Sequence, residues 1–253
     1  MDTYVMSRRE LLYLWGTAAA SYLLTGIPGA AQNLVPARMA VDHLAIGIAD
    51  LDEGIAWLER VTGVKAAIGG SHPGVGTRNA LISLGGRQYL EIIAPDPEQA
   101  VYKPDLLSHN FLTDLRTLTQ PRLIFWAAAT SDIAAIAENA LRMALPIVGP
   151  IEGSRARPDG KVLQWKTLLV RNQFAVQAAE PIPFFIEWAS GSVHPSQDSP
   201  KGCELQSFEI EHPDPAGVTN ALKTLGIEAR VTQARNARLR ATLRTPQGTV
   251  ELN

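Results

Sequence analysis

Val41-Asp42-His43-Leu44-Ala45-Ile46-Gly47-Ile48-Ala49-Asp50-Leu51-Asp52 opens the stretch whose reading decides the fold. Its first eight residues alternate, with Leu44, Ile46 and Ile48 on one face and His43, Ala45 and Gly47 on the other, the period of a strand. Asp50 or Asp52 then stands as N-cap ahead of Ile55, Leu58 and Val61, which share one face of a helix that Gly63 is placed to stop. Residues 65–68, 78–84 and 88–93 read as three further strands, broken by glycines at 69, 70, 74, 76, 85 and 86. The unit is βαβββ.

The same order recurs. Residues 123–129 read as a strand and 133–145 as an alanine-rich helix, followed by strands around 162–170 and 184–188. A third copy runs through a strand at 205–211, a helix at 213–225 ended by Gly226, and strands at 229–232, 239–245 and 249–252. It aligns Asp214-Pro215-Ala216 with Asp50-Leu51-Asp52, and Thr249-Val250-Glu251 with Tyr89-Leu90-Glu91. The period is irregular, so this is no solenoid. The expected fold class is α+β: repeated βαβββ modules forming curved mixed sheets around a cup. Residues 39–188 form the paired modules and 203–253 an additional C-terminal module, with linkers at 95–120 and 190–202.

With 253 residues, of which 46% are hydrophobic, the chain can bury a sizeable core without disulfide or metal staples. The single cysteine, Cys203, rules out an intramolecular disulfide. A net charge of −2 argues against a nucleic-acid binder, which would carry a basic stripe. Ahead of the body, Ser7-Arg8-Arg9-Glu10-Leu11-Leu12 leads into a mostly apolar run to about Ala31. A basic start, an apolar stretch and small residues near a cut site make a secretory pattern over residues 1–33. The adjacent arginines resemble a bacterial twin-arginine signal, which implies a periplasmic destination. The alternatives are an uncleaved membrane anchor or an amphipathic helix packed on the body of a cytoplasmic protein. Any membrane contact would run through this segment alone.

The chemistry is expected inside the cup. His43 has only Ala45 and Gly47 beside it on its face, leaving room for a ligand or metal. Glu91 lies in a strand otherwise too apolar to want a carboxylate, so it must be paired or metal-bound. Imidazole nitrogen and carboxylate oxygen together suit Zn²⁺, Fe²⁺ or Mn²⁺. The plainer alternatives are an ion pair of Glu91 with Arg78 or Arg87, one of Glu187 with Arg155 or Arg157, and a satisfied half-buried His43. The segment His72-Pro73-Gly74-Val75-Gly76-Thr77-Arg78-Asn79 is first of all a run of turns. Its His72, Arg78 and Asn79 also suit a clamp on an anion or carbonyl at the cup mouth. Trp126, Trp165 and Trp188 read as core, with Trp165 and Trp188 also able to wall an apolar pocket. His109 and His212 read as surface residues. Ser190, Ser192 and Ser196 near His194 lack the Gly-x-Ser-x-Gly elbow of a nucleophile. Arg235, Arg238, Arg240 and Arg244 read as a solvated edge that blocks aggregation.

Asp42-His43-Leu44-Ala45-Ile46, Gly70-Ser71-His72-Pro73-Gly74-Val75-Gly76-Thr77-Arg78-Asn79-Ala80-Leu81 and Tyr89-Leu90-Glu91-Ile92-Ile93-Ala94-Pro95 together resemble the glyoxalase-like branch of the vicinal oxygen chelate superfamily. So do Arg157-Pro158-Asp159-Gly160 ahead of Leu163-Gln164-Trp165, and Pro183-Phe184-Phe185-Ile186-Glu187-Trp188 followed by His194-Pro195-Ser196. The resemblance covers roughly residues 40–200. It implies a divalent metal (Zn, Fe, Mn or Ni) held by His43, Glu91 and Glu187. The first strand of the second module, Leu123-Ile124-Phe125-Trp126-Ala127, offers no histidine, so His72 would supply a fourth ligand or bind substrate. In the third module Ser207 falls opposite His43 and Glu251 matches Glu91.

Two functions follow from that resemblance. One is a metal-dependent lyase, isomerase or dioxygenase acting on a small oxygenated substrate, with Glu91 or Glu187 moving a proton and His72, Arg78, Asn79 and Trp188 binding substrate. The other is a non-catalytic protein that sequesters a small molecule in the same cup. In either case the partner is a small molecule, and a homodimer is the expected assembly.

Overall fold

The computed structural model describes residues 34–100, 114–156, 160–174 and 179–253. The export and anchor readings of residues 1–33 lie outside the described residues, as does His109. Among the described residues, no helix is long and apolar enough to cross a membrane.

The first unit runs β1 (Val41–Gly47), α1 (Leu51–Thr62), β2 (Ala67–His72), β3 (Thr77–Gly85) and β4 (Gln88–Pro95). Asp50 caps α1 by accepting from the Glu53 N–H, and Gly63 ends the helix in the left-handed region at φ 76°. The second unit runs β5 (Arg122–Ala129), α2 (Ile133–Arg142), β6 (Ile147–Ala156), β7 (Val162–Val170) and β8 (Phe184–Trp188). A short helix α3 (Pro195–Asp198) leads to the third unit. That unit runs β9 (Glu204–His212), α4 (Pro215–Thr224), β10 (Val231–Gln233), β11 (Arg238–Thr245) and β12 (Gly248–Leu252).

The first two units form one eight-stranded mixed sheet in the order β2-β3-β4-β1-β5-β8-β7-β6. β1 pairs parallel with β4, and β5 parallel with β8, while β1 and β5 meet antiparallel at the centre. The two halves are therefore copies joined back to back. The end strands β2 and β6 approach each other, so the sheet curls almost to closure. A side chain at Gly70 would meet the Ala156 carbonyl oxygen at 3.2 Å, which measures how tight that seam is. The third unit adds the four-stranded sheet β10-β9-β11-β12. The expected α+β class of curved βαβββ units is the one observed.

One apolar cluster lies between the convex face and the helices, and Leu44, Ile46, Leu90, Ile92 and Trp126 sit in it beside Phe208, Leu239 and Leu243 of the third unit. The opposite face of the third sheet is polar. There Arg240 pairs with Glu211 and Glu251, Arg244 with Glu204, and β10's neighbour Arg230 with Glu209. Glu251, the counterpart of Glu91 by position, is thus spent on a surface ladder.

A smaller cluster of Ala45, Ile93, Leu115, Leu118, Ile124 and Phe125 plugs the concave side beyond His43. A side chain at Gly47 would meet Leu115 and Leu118 at 2.8 and 2.9 Å. The space that small residues leave beside His43 is therefore filled from the linker on the Gly47 side.

Candidate functional site

The concave face encloses a cavity of about 490 Å³. On β4 alternation sends Tyr89, Glu91 and Ile93 into it and Leu90 and Ile92 into the main core. Asn79 of β3 lines it while Ala80 and Ile82 pack behind. From the first unit the cavity thus receives His43, His72, Asn79 and Glu91. From the second it receives mainly apolar groups, Phe125, Trp165, Phe184 and Trp188 foremost, together with Arg155.

A linear relay of hydrogen bonds holds the polar wall. Glu91, 6% exposed, accepts from Asn79 Nδ2 at 2.6 Å through Oε1. Asn79 Oδ1 in turn accepts from Arg155 Nη1 at 2.5 Å. One amide therefore couples a buried carboxylate to a buried guanidinium. The second hydrogen of Asn79 Nδ2 faces His72 Nε2 at 3.4 Å, and His72 Nδ1 lies 2.8 Å from the Thr77 hydroxyl. Burial holds the His72 pKa below the ordinary 6.5, and the Arg155 charge works in the same direction against the Glu91 carboxylate. Gly69 makes the relay possible: a Cβ there would stand 2.7 Å from Arg155 Nη1.

The other oxygen of Glu91, Oε2, faces His43 Nε2 at 3.6 Å. Behind His43 lies Asp42, 1% exposed, whose Oδ1 accepts from His43 Nδ1 at 2.8 Å. Asp42 Oδ2 takes His194 Nε2 at 3.1 Å and Trp188 Nε1 at 3.0 Å. His194 Nδ1 accepts from the Ser196 N–H at 3.3 Å, which leaves its Nε2–H for Asp42. Burial pushes the Asp42 pKa up, but the bonds from His194 and His43 outweigh it and leave the value below 3.8. Asp42 escapes strict alternation because the β1–β5 register shifts between Val41 and His43. His43 also stacks on Tyr89 at 4.6 Å between centroids, and burial raises that phenol well above 10.0.

His43, Glu91, His72, Asn79 and Trp188 are brought together as the sequence suggests. Two expected residues are not. Glu187 faces away from the cavity, and its Oε2 accepts from the Ile133 N–H at 2.7 Å, at the start of α2. The cavity frame of β8 is Phe184, Ile186 and Trp188, so an odd-numbered residue cannot join it. Arg78 sits on the helix side of β3, 3.8 Å from Asp52 of α1, and clamps nothing in the cup. Nor does it pair with Glu91, as the plainer alternative had it. Arg155 takes that place through Asn79. Asp42 and His194 are residues that the sequence did not point to, and Arg155 serves Glu91 through Asn79 rather than pairing with Glu187.

The donor set does not suit a divalent metal. Among the described residues, no group of three or more His, Cys, Asp or Glu is placed to hold one. The position between His72 and Glu91 that a cation would need is taken by the Asn79 amide, itself a donor. That leaves His43 and Glu91, two donors against the three or four that zinc-type sites use. The Arg155 charge already balances Glu91. Only the Asp42–His43 contact fits a ligand-orienting role.

A family model described as a glyoxalase-like domain matches residues 41–226. The chain belongs to that glyoxalase-like family, within the vicinal oxygen chelate superfamily. Among solved structures, a hypothetical protein from Staphylococcus aureus overlays this glyoxalase-like chain with a TM-score of 0.55 at 18% identity, over 78% of this chain and 87% of that one. A methylmalonyl-CoA epimerase from Mycobacterium tuberculosis overlays with a TM-score of 0.41 at 19% identity, over 63% of this chain and 92% of its own. The first of these speaks for the fold alone. No curated protein matches the chain.

Proposed function

We propose that this glyoxalase-like protein is an enzyme that moves a proton on a carbon next to a carbonyl group of a small molecule. The observation that supports it is the buried Glu91 carboxylate, one oxygen fixed by Asn79 and the other turned to the cavity beside His43 Nε2. A positioned, buried carboxylate is the general base that such chemistry uses. Glu91 takes the proton from carbon, and the C–H electron pair moves into the new C=C bond as the carbonyl π pair moves onto oxygen. The resulting enolate oxygen is stabilised by the Arg155 charge, preorganised by its bond to Asn79. Return of the proton to the opposite face of the same carbon completes an epimerisation, with no other reactant consumed. His43, held by Asp42, faces Glu91 as the second proton carrier.

The test is deuterium wash-in from D₂O into a panel of small ketones and aldehydes, followed by proton NMR, on wild type and Glu91→Gln. Exchange that wild type catalyses and Glu91→Gln loses supports the reading. A wild type that exchanges nothing it binds would leave a sequestering protein, a reading the apolar second-unit wall favours.

A further inference from the structure

We propose that the ligand this cup is built for is an uncharged carbonyl compound with an aromatic or branched apolar body, and that carboxylates, phosphates and CoA esters are rejected by charge. The inference rests on the proton-transfer reading of Glu91 and adds to it the class of substrate.

Charge comes first. Among the described residues that line the cavity, the ionisable groups of fixed sign whose side chains turn inward are Glu91 and Arg155, since Glu152 is exposed and one residue out of the Ile151, Gly153, Arg155 frame. Arg155 is already coupled to Glu91 through Asn79, so its charge is answered before any ligand enters. The further negative charge is that of Asp42, buried directly behind His43. The other basic groups at the polar wall, His43 and His72, both face Glu91, at 3.6 and 3.9 Å. An anion would therefore meet a net negative cup, at a cost on the order of tenfold to a hundredfold in affinity. A neutral carbonyl meets no such barrier, and negative charge arises on it only as Glu91 takes the proton, when the two acids no longer both carry charge. That is the differential stabilisation catalysis needs.

The division of the walls supplies the rest. The hydrogen-bonding groups come from the first unit, whereas Trp165, Trp188, Phe184 and Phe125 face them from the second. A ligand with a carbonyl at one end and an apolar body at the other has one way to lie. Trp188 is fixed by its bond to Asp42, and Trp165 packs against it at 5.5 Å between centroids. Trp165 in turn lies over Gly153, where a Cβ would meet its Nε1 at 2.5 Å. The glycine seats the indole that forms the body-binding wall. A cavity of about 490 Å³ takes a molecule of this kind with modest room to spare.

The experiment is a titration of intrinsic tryptophan fluorescence, Trp165 and Trp188 being the reporters, with four probes. Phenylacetone and phenylacetate share one shape and differ in charge. Acetone lacks the body, and acetyl-CoA carries phosphates. Phenylacetone should bind at least about tenfold tighter than phenylacetate, with no saturable change from acetone or acetyl-CoA. Trp165→Ala should weaken phenylacetone. Phenylacetate or acetyl-CoA binding as tightly as phenylacetone would overturn the inference, as would acetone matching phenylacetone or no saturable binding by any probe. If phenylacetone binds with the stated preference but its α-protons do not exchange, the ligand class stands and the enzymatic reading falls, so the two failures are distinct.

Discussion

Replacing Asp42 with asparagine keeps the side-chain shape and removes the charge on which three rings depend. Asp42 accepts from His43 Nδ1 at 2.8 Å, His194 Nε2 at 3.1 Å and Trp188 Nε1 at 3.0 Å. An indole N–H only donates, so the asparagine oxygen must take the Oδ2 position and its NH₂ must face His43. His43 Nδ1 then has to accept, and the ring must carry its hydrogen on Nε2, toward Glu91. Hydrogen bonds to a charged group contribute about 1.5–3 kcal/mol each against about 0.5–1.5 for neutral ones, so three bonds lose roughly 3 kcal/mol. Relief from burying a charge returns part of this, leaving a net loss of about 2 kcal/mol. For a domain of this size that lowers Tm by about 4–8 °C.

The pH dependence has a definite sign. Asp42 has a folded pKa below 3.8, so its contribution is complete above that value and is lost as pH falls through the lower folded value. The Tm gap between wild type and Asp42→Asn should therefore be full at neutral pH and close on acidification below 3.8. Melting curves over that range test the energetics, and nitrogen-15 spectra of the histidine rings, with His43→Gln for assignment, test the proton's position. A gap under about 1 °C at neutral pH, where 4–8 °C is expected, would refute the reasoning. So would a gap that widens in acid, or an unchanged His43 ring pattern.

Gly69→Ala should push Arg155 off Asn79, costing about 1–3 kcal/mol by overpacking and abolishing catalysed exchange; a variant with wild-type melting and exchange rates would show that the relay does neither. Because burial holds His72 below 6.5, the unfolded chain binds a proton there that the folded chain does not, and stability should fall as pH drops below that value. Melting of His72→Gln against wild type between neutral and mildly acidic pH should give a shallower decline, and identical slopes would remove His72 as its source. Glu187→Ala should cost about 1 kcal/mol by freeing the Ile133 N–H at the start of α2, while phenylacetone affinity stays unchanged; lost affinity with unchanged melting would return Glu187 to the cup.

The first unit was legible because its strands alternate: His43 and Glu91 stand out as polar residues on strands whose other face is apolar. β8 was not, because Phe184-Phe185-Ile186 is apolar on both faces and carries no alternation to fix its frame. A one-residue error in such a strand moves a carboxylate from the cup to the helix layer, which is what separates the expected Glu187 from the observed one. Arg155 was overlooked as part of the cup because β6 is interrupted by Gly149, Pro150 and Gly153 and does not read as a strand. Asp42 reaches His43 through a register shift that sequence spacing does not reveal. Its partner His194 lies 152 residues away. The acidic residue matched to Glu91 in the third unit had a plainer fate on a salt-bridged surface.

The central claim is that Glu91, Asn79 and Arg155 form a proton-transfer centre that works through its own side chains. It is tested most directly by the deuterium wash-in rate into a bound ketone before and after exhaustive chelation, with metal content measured on the same samples. The account predicts an unchanged rate after chelation and a rate lost in Glu91→Gln. A rate abolished by chelation and restored by a divalent ion would contradict it.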